Sequence, residues 1–315
     1  MSFASTAVRS VLEQGQFCAV ATVTPNGPHC TPLVFVASGG RLWLTTSRRS
    51  VKTRTWKSDP SAAGLVRHGE LAVAFAGSAK MYDALDRSTW SAAVAGGTSI
   101  ARAMASFSRK NARFFAGYAF DAKQVPFAWT PPGRVFVGID LERTALVDDD
   151  GVQEGRGRWA GATVSHKTFR RGAANIDAFA ALPAVVLRTL GTRGQAALAL
   201  VGERGPVVVP ARWQLDQGSL FAALPEETLG LAAGGPDVPA ALTIDQASVW
   251  RAREMIGAMI QGTASIHVLD GLGSGAKTAR TLAAEIHPNA GALIRLTPSR
   301  VVWWHGWSSG SRDLP

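Results

Sequence analysis

Between Thr45 and Pro60 the chain reads TTSRRSVKTRTWKSDP, with five cations and one acid set among hydroxyls. The hydroxyls of Thr46, Ser47 and Ser50, the Lys52 ammonium and the guanidiniums of Arg48 and Arg54 form a donor set suited to holding a phosphate monoester. Ser50 is a good N-cap, VKTRTWKS can make about two helical turns after it, and Asp59-Pro60 stops them. Cations at a helix start have the wrong sign for the macrodipole, at roughly 0.3–1 kcal/mol per charge. An anion is therefore expected there. The alternative is a solvated basic face that binds nothing.

The elements that must position this stretch come in two copies. Residues 16–43, QFCAVATVTPNGPHCTPLVFVASGGRLW, align without a gap on residues 194–221, GQAALALVGERGPVVVPARWQLDQGSLF, at an offset of 178. Gly27-Pro28 falls on Gly205-Pro206, Pro32 on Pro210, Phe35 on Trp213 and Trp43 on Phe221. Each copy reads as an apolar strand, a Gly-Pro turn, a proline-bearing strand, a polar turn and an aromatic-aliphatic strand. The second copy continues into FAALPEETLG, where Pro225 suits a helix start and Glu226 and Glu227 fill its first turn. That helix satisfies its dipole with its own carboxylates, so one phosphate seat per chain is expected, in the first copy.

Later strands recur as well. ELAVAFAGS (Glu70–Ser78) matches AALTIDQAS (Ala240–Ser248), and RVFVGIDLERTALVDD from Arg134 is echoed by ALIRLTPSRVVWWHGW from Ala292. A helical insertion spans roughly 81–117, with Ile100, Met104, Phe107, Phe114 and Phe115 near helical spacing; this stripe reads as core packing, with a substrate lid as the alternative. The polar, glycine-rich stretch from Gly151 to about Ala174 reads as a connection. The expected architecture is mainly β with helical insertions: a first unit over 1–150, a linker over 151–183 and a second, degenerate unit over 184–315.

With 315 residues, 46% of them hydrophobic, the chain can bury a large core. A net charge of +10 calls for an anionic partner: cofactor phosphate, polycarboxylate, nucleic acid or membrane surface. The cations cluster at one helix start without an RNA-type aromatic platform, which argues against nucleic acid. No run of 18 or more apolar residues is present and MSFASTAVRSVLEQG has no apolar h-region, so neither a membrane span nor a secretory signal is expected and the default location is cytoplasmic. A hairpin centred on Asn26-Gly27 pairs positions summing to 53 and sets Cys18 opposite Phe35, so Cys18 and Cys30 are expected as buried thiols without a disulfide.

Strand, Asn-Gly-Pro turn, a strand with TP, RLWLTTS, then S-x-K and a helix closed by S-D-P together resemble the flavin and deazaflavin oxidoreductases of the pyridoxamine 5′-phosphate oxidase-like split β-barrel superfamily. SRVVWWHGWSSGSR is similar to that family's closing strand. The resemblance covers 16–79 and 134–150 well and 194–315 more loosely. It implies two tandem split β-barrels forming a pseudo-dimer within one chain, monomeric or further associated, with a cofactor in the crevice between the repeats. It implies FMN, or alternatively the deazaflavin coenzyme F-420, acting on a small organic substrate. It assigns the phosphate to Thr46, Ser47, Ser50 and Lys52, with Arg48 or Arg54 as helpers. It places Thr31 to Phe35, Leu33 among them, along the flavin ring, with Trp303, Trp304, His305 and Arg212 contributing from the second repeat. The strand TPLVFV and the tail SGSRDLP depart from the pyridoxamine phosphate oxidases proper, which carry an arginine-rich strand and a terminal clamp; Arg312 is the tail's only cation.

In such folds the flavin carries the redox chemistry and no catalytic side chain is demanded. Trp303 and Trp304 must point to opposite faces of a strand, so at most one lines the crevice. A non-catalytic binder on the same barrel is the other class, including a haem protein with His29 or His305 as axial ligand. DGLGSGAKT at 270–278 imitates a phosphate-binding loop with the wrong glycine-to-lysine spacing, VDDDG at 147–151 lacks further cation ligands, and no zinc spacing is present.

Overall fold

The computed structural model describes residues 5–315 apart from 122, 124, 128, 129, 131, 132, 162–168, 170–176, 233, 234, 236, 247–250 and 274; for 92, 93, 95 and 118–120 it describes the backbone alone. Much of the expected linker, and Ser274 of the false phosphate loop, lie outside the described residues.

The first half begins with α1 (Thr6–Gln14), whose N-cap Ser5 accepts a hydrogen bond from the Val8 amide and which sends Val8, Val11 and Leu12 into the first core. There follow β1 (Phe17–Thr24), β2 (Gly27–Ser38), β3 (Arg41–Ser47), α2 (Val51–Trp56), β4 (Ser61–His68), β5 (Leu71–Tyr82), the helices α3 (Trp90–Ala95), α4 (Gly97–Lys110) and α5 (Ala112–Phe120), then β6 (Arg134–Asp148) and β7 (Gly151–Arg156). The sheet order is β3-β2-β1-β4-β5-β6-β7, and β3 also pairs with β6, so six strands close into a barrel that β7 extends.

After α6 (Ala184–Leu190) the plan repeats with β8 (Arg193–Gly202), β9 (Gly205–Asp216), β10 (Ser219–Leu224), α7 (Glu226–Gly230), β11 (Asp237–Gln246), β12 (Ile256–Val268), α8 (Ala276–Ile286), β13 (Ala292–His305) and β14 (Ser308–Asp313). Its order is β10-β9-β8-β11-β12-β13-β14, closed by β10 on β13. Mainly β with helical insertions, in two similar barrel-like halves, is thus the observed architecture. The offset read from the sequence places β2 on β9 and β3 on β10 at their first residues.

Three details differ from the sequence reading. The β1–β2 register pairs positions summing to 51: Thr24 faces Gly27, and Cys18 faces Leu33 instead of Phe35. Pro25 takes the first central turn position that its fixed φ suits, which moves the turn one residue earlier, and Gly27 follows at φ +91°. Both cysteines are free and buried as expected. The counterpart of β5 is β12, while Ala240–Gln246 lies on β11, the counterpart of β4. Short apolar runs look alike in sequence; a shared device separates them. Both β5 and β12 bulge against the following strand, at Ala76/Gly77 and at Gln261/Gly262. A Cβ on Gly77 would sit 1.8 Å from the Asp140 carbonyl oxygen, and one on Gly262 2.0 Å from that of Thr297, so only glycine lets either barrel turn this corner. Finally, 151–156 pair with β6 and so extend the first sheet beyond residue 150.

The halves pack reciprocally, β2 on β11 and β12, and β9 on β4 and β5. This explains why LAVAFA is apolar without interruption. Val73 and Phe75 fill the first barrel, whereas Ala72, Ala74 and Ala76 face a second core shared with Leu198, Val208, Leu242 and Ile260 of the other half. Small side chains on the seam face let the two sheets approach closely.

Candidate functional site

β2 pairs with β1 over Gly27–Val34 and with β3 only from Phe35, so its first stretch has a free edge, the split of the barrel. Pro28 and Pro32 stand on that stretch, where a residue lacking an N–H leaves no donor unpaired. The second half supplies partners for the rest. Thr243 Oγ1 donates to the Cys30 carbonyl at 2.8 Å, Gln261 Nε2 donates to the Pro28 carbonyl at 2.9 Å, and the Cys30 amide donates to Met259 Sδ at 3.1 Å. The first crevice is built on this edge.

α2 enters beside it. Ser50 caps the helix, accepting from the Thr53 amide at 3.1 Å, while Thr46 Oγ1 donates to Ser50 Oγ at 3.0 Å and Thr53 Oγ1 donates to the Ser47 carbonyl at 2.8 Å. These hydroxyls satisfy one another and the helix start. Lys52 is different. It is 2% exposed, its Nζ donates to Thr31 Oγ1 at 2.5 Å, and among the described residues it has no ion pair. Burial pushes its pKa down to about 8, with Cys30 and Cys18 acting in the other direction. His29 on the same edge is pushed down to about 3 by burial, then by Lys52 and by Arg300 on β13, and stays a neutral imidazole at neutral pH. Lys52 and Arg300, one from each half, therefore both act on His29 at the split, and Arg300 itself lies 3.5 Å from the Asp313 carboxylate. Sequence reasoning offers His29 only as a candidate haem ligand and misses Arg300, because Arg300 reaches this edge only through β12, which packs on β2 and pairs Gln261 with Arg300.

The crevice continues along β2 to Val34 and Val36, which form a cluster with Trp43, with Ala103, Phe107 and Phe114 of α4 and α5, and with Ala252, Met255, Trp304 and Trp307 of the second half. Asn111, between α4 and α5, donates to the Phe35 carbonyl at 3.3 Å and fixes the insertion to β2. Of the apolar stripe expected as core packing, Phe107 and Phe114 are buried in this cluster with Ile100 and Phe115 against it and close the seam, whereas Met104 is 52% exposed. Trp304 Nε1 is buried there without a hydrogen-bond partner. From Arg300 to Trp304 is four residues along β13, roughly 13 Å of strand.

The remaining candidates scatter. Arg48 is ion-paired with Asp83, at the start of the insertion. Arg54 is exposed on the outer side of α2. Leu33 packs against the first barrel core, its carbonyl accepting from Cys18 Sγ at 3.6 Å. Trp303 and Trp304 both pack against the shared core, with Gly310 of β14 under the first ring and Gly257 of β12 under the second, and only Trp304 also joins the cluster at Val34–Val36. His305 is exposed at the far end of β13, five residues from Arg300, roughly 16 Å away from the His29 end.

Arg212 lies in the other, reciprocal crevice, a cleft lined by Arg67, Gln195, Arg212, Asp149, Pro210 and His287 among others. Here charges are internally paired. Arg212 Nη2 bonds Asp149, His287 Nε2 lies 3.6 Å from the same carboxylate, and the Asn289 amide donates to His287 Nδ1 at 3.1 Å. Arg67 donates to Gln195 Oε1 at 3.2 Å and to the Ala196 carbonyl. Burial pushes Arg67 down to about 10 and Asp245 up to about 6, and each acts on the other in the opposite direction. α7 begins this crevice with Glu226 and Glu227 as its first two residues.

Residues 4–145, slightly less than half the chain, match the family profile described as pyridoxamine 5′-phosphate oxidase. No curated protein matches the chain. Among solved structures, it is similar to a pyridoxamine 5′-phosphate oxidase-related, FMN-binding protein from Nostoc punctiforme, at 18% identity over 49% of this chain and 88% of that one with a TM-score of 0.34. It is similar to an F420 reductase at 17% identity over 44% and 94%, TM-score 0.30. A heme-binding protein from Mycobacterium smegmatis aligns at 16% identity over 50% and 58%, TM-score 0.33. The first half of the chain thus matches the pyridoxamine 5′-phosphate oxidase family profile and forms a closed six-stranded barrel, whose strand order the second half repeats.

Proposed function

We propose that the protein is a flavin-type oxidoreductase that holds one phosphate-bearing cofactor per chain, FMN, in the first crevice, and acts on a small organic molecule. The observation that carries this reading is Lys52: a buried ammonium bonded to a hydroxyl, near two thiols and His29, with no carboxylate paired to it among the described residues. A buried lysine without a counter-ion is costly, here about 3 kcal/mol from the lowering of its pKa, and a phosphate dianion offsets that cost by restoring the ordinary preference for the charged form.

The residues fit the group at both ends. Lys52, Thr31 and Arg300 would hold the phosphate, and the unpartnered Trp304 indole N–H at the other end of the crevice suits a ring carbonyl. When bound, a flavin supplies hydride or electron transfer. The chain's own part is to bind, to orient the ring along β2 and to exclude water with α4 and α5. Because these helices pack over the Val34–Val36 end, entry of a ring requires the insertion to move outward. The family match over residues 4–145 supports the reading.

The absorption spectrum of the purified protein tests it. A two-band flavin spectrum supports FMN, a single-band spectrum points to the deazaflavin, and a Soret band points to haem. Retention of the chromophore by Lys52→Ala to the wild-type extent contradicts the phosphate seat whichever chromophore is found.

A further inference from the structure

The insertion between β5 and β6, residues 83–133, has an inner face whose role is clear and an outer face whose role is not. Inside, Ala103 and Phe107, one turn apart on α4, and Phe114 on α5 are buried against β2 and the second half. Outside, Leu85 is 74% exposed, Trp90 49%, Val94 83%, Met104 52% and Phe127 70%. Among the described residues these are five of the six large hydrophobic side chains that stand exposed; the other is Val185. Trp90 and Val94 are four apart on α3 and share one side of it. Such a concentration of apolar side chains in solvent marks an interaction surface.

Charge decides what it fits. The insertion carries six cations, Arg87, Arg102, Arg109, Lys110, Arg113 and Lys123, and three acids, Asp83, Asp86 and Asp121. All three acids pair with cations outside the insertion: Asp83 with Arg48, Asp86 with Lys57 at 3.2 Å and Asp121 with Arg253 at 3.2 Å. They fasten it to the body of the protein, and of its cations Arg87, Arg102, Arg109 and Lys123 stand exposed on it. Arg87 stacks over the Trp90 ring, 5.9 Å from the centroid, so a cation stands beside the exposed aromatic. Aliphatic side chains, a tryptophan and arginines on one exposed helical element are the composition that settles at the boundary of an anionic bilayer. A second copy of the chain would bring the same excess of cations against this face and be repelled.

We infer that the outer face of α3 and α4 docks the protein on anionic lipid surfaces. The sequence argued against membrane partners because no segment can span a bilayer, and among the described residues no helix is long and apolar enough to cross one. Lying on the surface needs no span. The inference is independent of the cofactor site, whose residues it does not use.

Co-sedimentation of the full chain with vesicles of phosphatidylcholine, alone or with about one part in three phosphatidylglycerol, tests it. Binding is expected to the anionic vesicles, to be weaker by about tenfold on phosphatidylcholine, and to fall with added salt. Two variant pairs should each lower anionic-vesicle binding about tenfold while keeping the wild-type melting curve: Trp90→Ser with Val94→Ser, and Arg87→Glu with Arg102→Glu. Failure to bind anionic vesicles overturns the inference, as does binding that neither pair alters. Concentration-dependent dimerisation abolished by the apolar pair would assign the face to a second copy and overturn it equally.

Discussion

Counted from its cap, the helix that starts each crevice carries an opposite charge at its second position: Lys52 after Ser50 in the first half, Glu227 after Pro225 in the second. In the first crevice the cation is buried and, among the described residues, unpaired, with His29 near it. In the second, Arg212 and Arg67 are spent on Asp149, Gln195 and a backbone carbonyl, and the helix start carries its own acids. Two copies of one fold have neutralised the same place differently. The second closes its charges on itself; the first leaves a buried cation, which the proposed phosphate would complete.

The shared architecture and the divergent charges can be separated by mutation. Gly77→Ala and Gly262→Ala should each cost about 3 kcal/mol or more, by urea unfolding, because the added methyl meets a backbone carbonyl in either bulge. Similar losses at both sites would show that the halves share the corner; a tolerated alanine at one would break the equivalence.

Lys52→Met should lower FMN affinity by about a hundredfold, about 2.7 kcal/mol, while raising the melting temperature of the apo protein, since a buried unpaired charge is removed. Loss of both affinity and stability would mean that Lys52 is a structural residue.

The third prediction concerns pH. Lys52 is a base held below its ordinary value, so above pH 8 the folded protein loses a proton that the unfolded chain keeps until about 10.5. Between these limits the contribution of Lys52 to apo stability should rise with pH, and affinity for a phosphate-bearing ligand should fall by up to about tenfold per pH unit. Difference titrations of wild type against Lys52→Met isolate it. The smallest effect is expected in the other crevice: Arg212→Gln breaks a half-exposed pair worth about 1 kcal/mol or less and should change FMN affinity less than about threefold.

Much of this was legible in the sequence. The repeat offset, the glycine-proline turns and the S-x-K helix start are local patterns, and local geometry preserved them: Ser50 caps α2, and β2 and β9 begin at the aligned glycines. What was not legible depends on how the two sheets lie against each other. No spacing announces that Lys52 turns inward while Arg54, two residues on, faces solvent, or that Arg212 faces the opposite crevice from Trp304. Nor could a period-two pattern distinguish β11 from β12, since both are short apolar runs; the bulge at Gly262, set by pairing with β13, does so.

The central claim is one phosphate seat per chain, at Lys52. Equilibrium titration of the apo protein with FMN and with riboflavin, which lacks the phosphate, tests it most directly, in wild type and in Lys52→Met. One FMN per chain is expected in wild type, with riboflavin far weaker, and the variant should no longer distinguish the two. Two equivalent FMN sites per chain, or a preference for FMN over riboflavin that survives Lys52→Met, would contradict it.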